Sequence, residues 1–226
     1  MTRRTNAAIA GVTYLLYIAV AFPAMVIFEK ATAGSSVAAR LASIAQRTTG
    51  MRVTILLGVI SCFCALTLAV TLYAITRDED RELALLGFAC RVGEGLVGAV
   101  PLTTLGLMWL ANNSATPSDA TSGNTLAAFL FKAGDWQTTT AALLFAVGST
   151  LFSYLLLRGR MVPVALAWLG VLASALIVVV LPLQLAQFIG GPITQLVWIP
   201  VALFEITLAF WLIIKGVAAP VRKQAA

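Results

Sequence analysis

Long apolar runs alternate with short polar breaks along this chain. A bilayer crossing needs about 20 mostly apolar residues to traverse a core ~30 Å thick. Six runs meet that requirement: residues 7–28, 53–75, 83–110, 136–157, 161–183 and 196–214. The pattern predicts an all-α polytopic transmembrane bundle of six spans, forming a single transmembrane domain over residues 1–226. The breaks "TRDEDRE" and "RGR" are tight, so spans two and three, and spans four and five, are expected to be antiparallel hairpins.

Two connections are longer. In the first, Val37, Leu41 and Ile44 recur at helical spacing opposite Arg40 and Arg47, which predicts a short outer interfacial helix over about 35–47. The second, "NNSATPSDATSGN", reads as a flexible polar loop. It is followed by "TLAAFLFKAGDW", residues 125–136, too short to cross. That segment, about 124–135, is expected to be interfacial or re-entrant, with Asp135 capping span four. The first span resembles a signal peptide, with Arg3 and Arg4 before it and Ala31-Thr32-Ala33 after it. Its apolar stretch exceeds the usual 7–15 residues of such a signal, so a retained helix is expected.

Composition agrees with this reading. The chain is 60% hydrophobic and only 11% charged, against roughly 25% charged in soluble domains. The net charge of +6 does not point to nucleic acid, because the basic residues flank apolar runs instead of forming a patch interleaved with aromatics. Counting them fixes an orientation. With the N-terminus inside, Arg3, Arg4, Arg77, Arg81, Arg158, Arg160, Lys215, Arg222 and Lys223 fall inside, against Lys30, Arg40, Arg47, Arg52 and Lys132 outside. This excess predicts an N-in, C-in topology. Trp109, Trp136 and Trp198 then fall at the outer boundary, as an interfacial belt would place them.

The chemistry available is narrow. The absence of histidine excludes His-ligated haem, most zinc sites and His-dependent triads. Cys62, Cys64 and Cys90 lie within apolar runs, and Cys62 and Cys64 point to different helix faces. They read as buried small hydrophobes, and no cofactor or metal is expected. No Walker loop, serine nucleophile elbow or metalloprotease motif is present.

Three charges fall inside the runs: Arg91, Glu94 and Glu205. Arg91 and Glu94 are three apart and share a helix face, near Gly87, Gly95 and Gly98, which would admit a neighbouring helix closely. That face should point into the bundle, where an intramembrane charge is tolerated. Two mid-span charges cost roughly 5–7 kcal/mol, and about a dozen Leu, Val and Phe residues in the same span offset this. Because that run is long, Arg91 sliding to the inner surface is an alternative. Glu205 has no basic neighbour within a turn and lies ~14 Å from its inner boundary, close to the ~17 Å of Glu94. If spans three and six touch, Arg91 faces both carboxylates. Two carboxylates and one guanidinium then leave one surplus negative charge, so either one glutamate holds a proton or a cation occupies the site. Pro23, Pro101, Pro182 and Pro200 all fall toward the outer side and would splay the helices into a vestibule above these charges.

Several segments resemble a known family. "RELALLGFACRVGEG" resembles the third span of the bacterial family of domain of unknown function 4386, with its Arg-x-x-Glu pair. "LLFAVGSTLFSYLLLRGRMVPVALAWLGVLAS" resembles its fourth hairpin, and "PVALFEITLAFWLIIKGV" its closing helix, with Glu205, Trp211 and Lys215-Gly216. The similarity covers most of the chain from Arg47 onward. It implies a six-helix bacterial membrane protein, hence a multi-pass protein of the plasma (inner) membrane, and it implies no activity.

The expected partners are the lipid bilayer and a small-molecule or cationic ligand. The leading functional reading is binding or passage of a small ligand or proton at Arg91, Glu94 and Glu205. A second is a structural or interaction subunit in which the cluster fixes helix register. A third, weaker one is a membrane enzyme using the two glutamates as acid and base. Spans three and six carry deep glutamates at matching places in two three-helix halves, as an inverted repeat would.

Overall fold

A computed structural model describes residues 1–113, 117–191 and 193–219. The described residues are helical throughout, without strands. The helices are α1 (Arg3–Ala31), α2 (Val37–Gln46), α3 (Thr48–Thr76), α4 (Arg81–Ala99), α5 (Leu102–Asn113), α6 (Pro117–Arg158), α7 (Val164–Leu185), α8 (Ile193–Leu196) and α9 (Trp198–Ile214). Five stretches are long and apolar enough to cross a membrane: α1, α3, α4 with α5, most of α6, and α7. α9 is equally apolar but has 17 residues.

Six helices close a ring. α1 packs on α3, α3 on α4, α4 on α6, α6 on α7, α7 on α9, and α9 returns to α1. The outward faces are apolar: Phe22, Leu56, Leu86, Phe129, Tyr154, Leu172, Val179, Leu203 and Phe210 are all exposed. An apolar exterior on every ring helix suits a lipid solvent. Inside, Tyr14, Leu68, Phe152, Leu155, Phe204 and Leu208 form the largest core cluster.

Polar contacts tie one end of the ring together. Arg158, closing α6, pairs with Glu79 at 3.1 Å and Asp80 at 3.1 Å in the α3–α4 turn. Arg3 pairs with Asp78 at 2.9 Å and donates to the Ala218 carbonyl. Both described chain ends and both tight hairpins therefore share this end. Asp80 also caps α4, its carboxylate accepting from the Leu83 N–H at 3.2 Å.

At the opposite end the structure departs from expectation in three places. The run predicted as one helix over 83–110 is two, α4 and α5, broken at Val100 and Pro101. Proline has no N–H for the Val97 carbonyl and pushes the preceding residue out of helical geometry; Val100 has ψ 107°. Gln137 of α6 supplies what Pro101 cannot, its amide donating to the Val97 carbonyl at 2.7 Å and the Val100 carbonyl at 2.8 Å.

The second difference is α6. It has 42 residues, ~63 Å at 1.5 Å each, and absorbs both "TLAAFLFKAGDW" and part of the stretch read as a flexible loop; residues 114–116 of that stretch lie outside the described residues. Pro117 opens the helix, a position where its missing N–H costs nothing. Ala127 and Phe131, four apart, bury one face against Leu41, Ile44, Leu107 and Leu110, so packing from α2 and α5 overrides a polar composition. The segment 124–135 is thus neither re-entrant nor a separate interfacial piece. Third, Asp135 lies inside α6 and is not a cap. The predicted helix over 35–47 is present as α2, with Ser36 accepting from the Ala39 N–H at 3.2 Å and Leu41 and Ile44 buried.

Two outcomes follow from these contacts. Gln137→Leu leaves the Val97 and Val100 carbonyls without their donor and should lower stability by about 1–3 kcal/mol, read as a lower unfolding midpoint in detergent. Asp80 is held below its ordinary value of 3.8, first by the Leu83 N–H and then by Arg158. The stability it contributes is present above its unfolded value and lost as pH falls through the lower folded one. Unfolding midpoints should therefore drop on acidification below about pH 4, and Asp80→Asn, which keeps a capping oxygen, should flatten that dependence. An unchanged slope would remove Asp80 from the account.

Candidate functional site

Arg91 sits inside the ring, 1% exposed, the largest side chain so fully buried. It does not slide to the inner surface. Its stem lies against Gly148 of α6, where a Cβ would sit 3.1 Å from Arg91 Cγ and 3.2 Å from Cδ. The guanidinium carbon lies 4.9 Å from the Phe145 ring centroid and 5.9 Å from that of Tyr17. The glycines of α4 serve close packing as their spacing predicts: Gly87 faces the Phe152 ring of α6 and Gly95 faces Ala65 of α3.

Arg91 Nη1 and Glu94 Oε2 are 2.9 Å apart, with side-chain exposures of 1% and 5%. The other oxygen of Glu94, Oε1, accepts from the Tyr17 hydroxyl of α1 at 2.6 Å. The Arg91–Glu94 contact has ion-pair distance but not hydrogen-bond alignment. Among the described residues, Nε, Nη1 and Nη2 of Arg91 have no aligned acceptor, and Glu94 Oε2 no aligned donor. A guanidinium has five N–H donors and stays charged, so this buried group has unspent donor capacity.

Glu205 is 8% exposed on α9, and its Oε1 has no hydrogen-bond partner among the described residues. The premise that spans three and six touch does not hold: α4 and α9 do not pack on each other among the described residues. In a sequential ring of six, the third and sixth members stand opposite. All three charges are nonetheless buried. Tyr14, 3% exposed, lies within electrostatic reach of all three.

Tyr14 and Tyr17 are the site residues that sequence reasoning missed. Their signal was available: two phenols three apart on one face of an apolar span, each with a hydroxyl that needs a partner when buried. The prolines proved informative. A cavity of about 730 Å³ opens at the end of the ring away from the chain termini, lined by Pro101, by Ala24 and Met25 just after Pro23, and by Gln184 just after Pro182. Gly98 lines it too, one helical turn from Glu94. Pro200 is not part of its lining. Phe145, which touches Arg91, lies one to two turns along α6 from the cavity residues Thr138 and Thr139, and its ring centroid is 6.1 Å from that of Trp198.

A family model described as "Domain of unknown function (DUF4386)" matches residues 9–216. No curated protein and no solved structure matches the chain.

The pair makes an asymmetric prediction. Arginine cannot shed its charge, whereas a lone buried glutamate can take up a proton. Glu94→Leu should therefore be the costlier single change, about 3–5 kcal/mol, and Glu94→Leu combined with Arg91→Met should recover most of it. Thermal unfolding of the three variants measures this; additive losses would mean the two side chains do not act as a pair.

Proposed function

The chain belongs to the family of domain of unknown function 4386, and on that premise we propose that it is a six-span protein of the bacterial plasma membrane, N-in and C-in, that binds or passes a small ligand or proton at Arg91, Glu94 and Glu205. The observation that carries this reading is the guanidinium of Arg91, 1% exposed, with three nitrogens that no group among the described residues accepts from in alignment. Glu205 Oε1 is likewise buried and unpartnered. Groups of this kind are expensive unless something satisfies them: a ligand carrying an acceptor would satisfy the guanidinium, and a mobile proton the Glu205 carboxylate. The cavity supports the reading, because Gly98 in its lining lies one turn from Glu94.

The second reading, a structural or interaction subunit, is favoured by the seat of Arg91 against Gly148 and by the Tyr17 bond to Glu94. In that reading the cluster fixes helix register, and apolar replacement of Arg91 and Glu94 together leaves the activity of a partner complex intact. Use of the glutamates as acid and base draws less support, since they are carried by opposite ring members.

Glu205→Gln keeps the shape of the side chain and removes its charge. Reconstituted into vesicles, the wild-type chain should pass protons down an imposed pH gradient, read by an entrapped dye, or bind the cationic probe tetraphenylphosphonium saturably. Glu205→Gln should reduce whichever is observed by about ten-fold. Equal behaviour of the variant in both assays would sink the ligand-site reading.

A further inference from the structure

The cavity of about 730 Å³ has chemistry of its own, separate from the central charges. Four charged side chains line it: Glu29 of α1, Arg40 of α2, and Lys132 and Asp135 of α6. Two are acids and two are bases. Among the described residues, none pairs with another at ion-pair distance. Charges of both signs thus share one concave space without neutralising each other.

Arg40 is the fixed member. Its Nε donates to the Thr32 carbonyl at 3.0 Å. Its guanidinium carbon stacks 3.4 Å from the centroid of the Phe131 ring. These two contacts set the plane of the guanidinium and, among the described residues, leave its terminal nitrogens without a protein acceptor. A guanidinium held by its Nε edge and by one face presents its terminal pair to a carboxylate or phosphate, with little entropy left to lose. A lone anion would also meet Glu29 and Asp135, and a lone cation would meet Arg40 and Lys132. A ligand carrying both charges satisfies the lining. Trp136 adds an aromatic wall suited to an ammonium group. The volume lies within the roughly 300–1,000 Å³ of small-molecule sites.

We infer that this cavity binds a small zwitterion, its carboxylate or phosphate on the terminal nitrogens of Arg40 and its ammonium toward Glu29 and Asp135. The same chemistry comes from a free amino-acid-like solute or from a phosphoethanolamine lipid headgroup. The site does not require Arg91 or Glu205 to act on a ligand, so the two proposals fail separately.

The test uses the full chain in nanodiscs of phosphatidylglycerol alone, which supply no zwitterionic lipid. Tryptophan fluorescence, to which Trp136 contributes, is titrated with alanine and with O-phosphoethanolamine, and with inorganic phosphate and ethylammonium as single-charge controls. In a parallel arm, native mass spectrometry counts phosphatidylethanolamine retained against phosphatidylglycerol from mixed bilayers. The expected result is saturable binding of a soluble zwitterion, or selective retention of phosphatidylethanolamine, either one weakened about ten-fold or more by Arg40→Gln. The first outcome assigns a solute and the second a lipid headgroup. Arg40→Lys, which keeps the charge without the fork, should fall between. Should Arg40→Gln fail to fold, Glu29→Gln with Asp135→Asn must lower zwitterion affinity and raise that for phosphate. Phosphate binding as tightly as O-phosphoethanolamine, indifference of binding to these substitutions, or absence of binding in both arms would each overturn the inference. Glu205→Gln should leave this binding unchanged.

Discussion

A guanidinium that cannot lose its proton stands inside a ring of apolar helices, and much of the interior answers to it. Arg91 needs an anion, and Glu94 one turn along the same helix places a carboxylate oxygen 2.9 Å away. It needs room for a long stem, and Gly148 on the facing helix provides it by having no side chain. It needs protection from lipid, and Phe145 and Tyr17 lie beside its charged end. Tyr17 then bonds to Glu94 across the ring interior, joining helices whose backbones do not touch. In a medium where apolar side chains gain nothing by leaving lipid for one another, packing and such polar links decide which helices meet.

The two ends of the ring are built differently. At the end with the termini, Arg158 reaches two acids of the α3–α4 turn and Arg3 reaches a third. There the connections are short. At the other end prolines interrupt or unsettle α1, the α4–α5 junction and α7, and the helices part around the cavity. The backbone groups released at Pro101 are taken up by one side chain, Gln137, and the extra mass of α2, α5 and the first half of α6 packs as a separate apolar cluster.

The helical bundle could be read from the chain because membrane burial imposes a one-dimensional rule, twenty apolar residues per crossing, on each segment separately. Where the rule stops, so did legibility. Beyond the apolar belt, composition alone cannot separate a polar loop from a solvated helix, and α6 runs on through "TSGN" because Ala127 and Phe131 find partners on α2 and α5 that no local window contains. Pro101 was visible as a break, but the residue that would satisfy the freed carbonyls, Gln137 on another helix, was not. The burial of Arg91, Glu94 and Glu205 followed from their place inside apolar runs, whereas the contact of spans three and six was a guess about how the helices close on one another. Short hairpins make neighbours of successive helices, and that same economy sets the third and sixth apart. Arg40 was read only as the polar face of a surface helix, since its fixing by Thr32 and Phe131 depends on two other elements.

Stability alone is a poor reason for the central pair. Exchanging a buried ion pair for apolar side chains of similar volume is often neutral or stabilising, by about 1–4 kcal/mol. Register is a better structural reason, but here it is already set by contacts that involve no charge. Phe152 closes on Gly87, Ala65 on Gly95, and Ile213 and the Ala209 carbonyl on Gly11, each a fit that a shift of one residue would destroy. The pair is therefore redundant for register and costly for insertion. It also leaves unaligned donors on Arg91 and an unpartnered oxygen on Glu205, where a purely structural network would satisfy its members. That combination, steric over-determination with electrostatic under-satisfaction, is the physical ground on which a ligand site is proposed there.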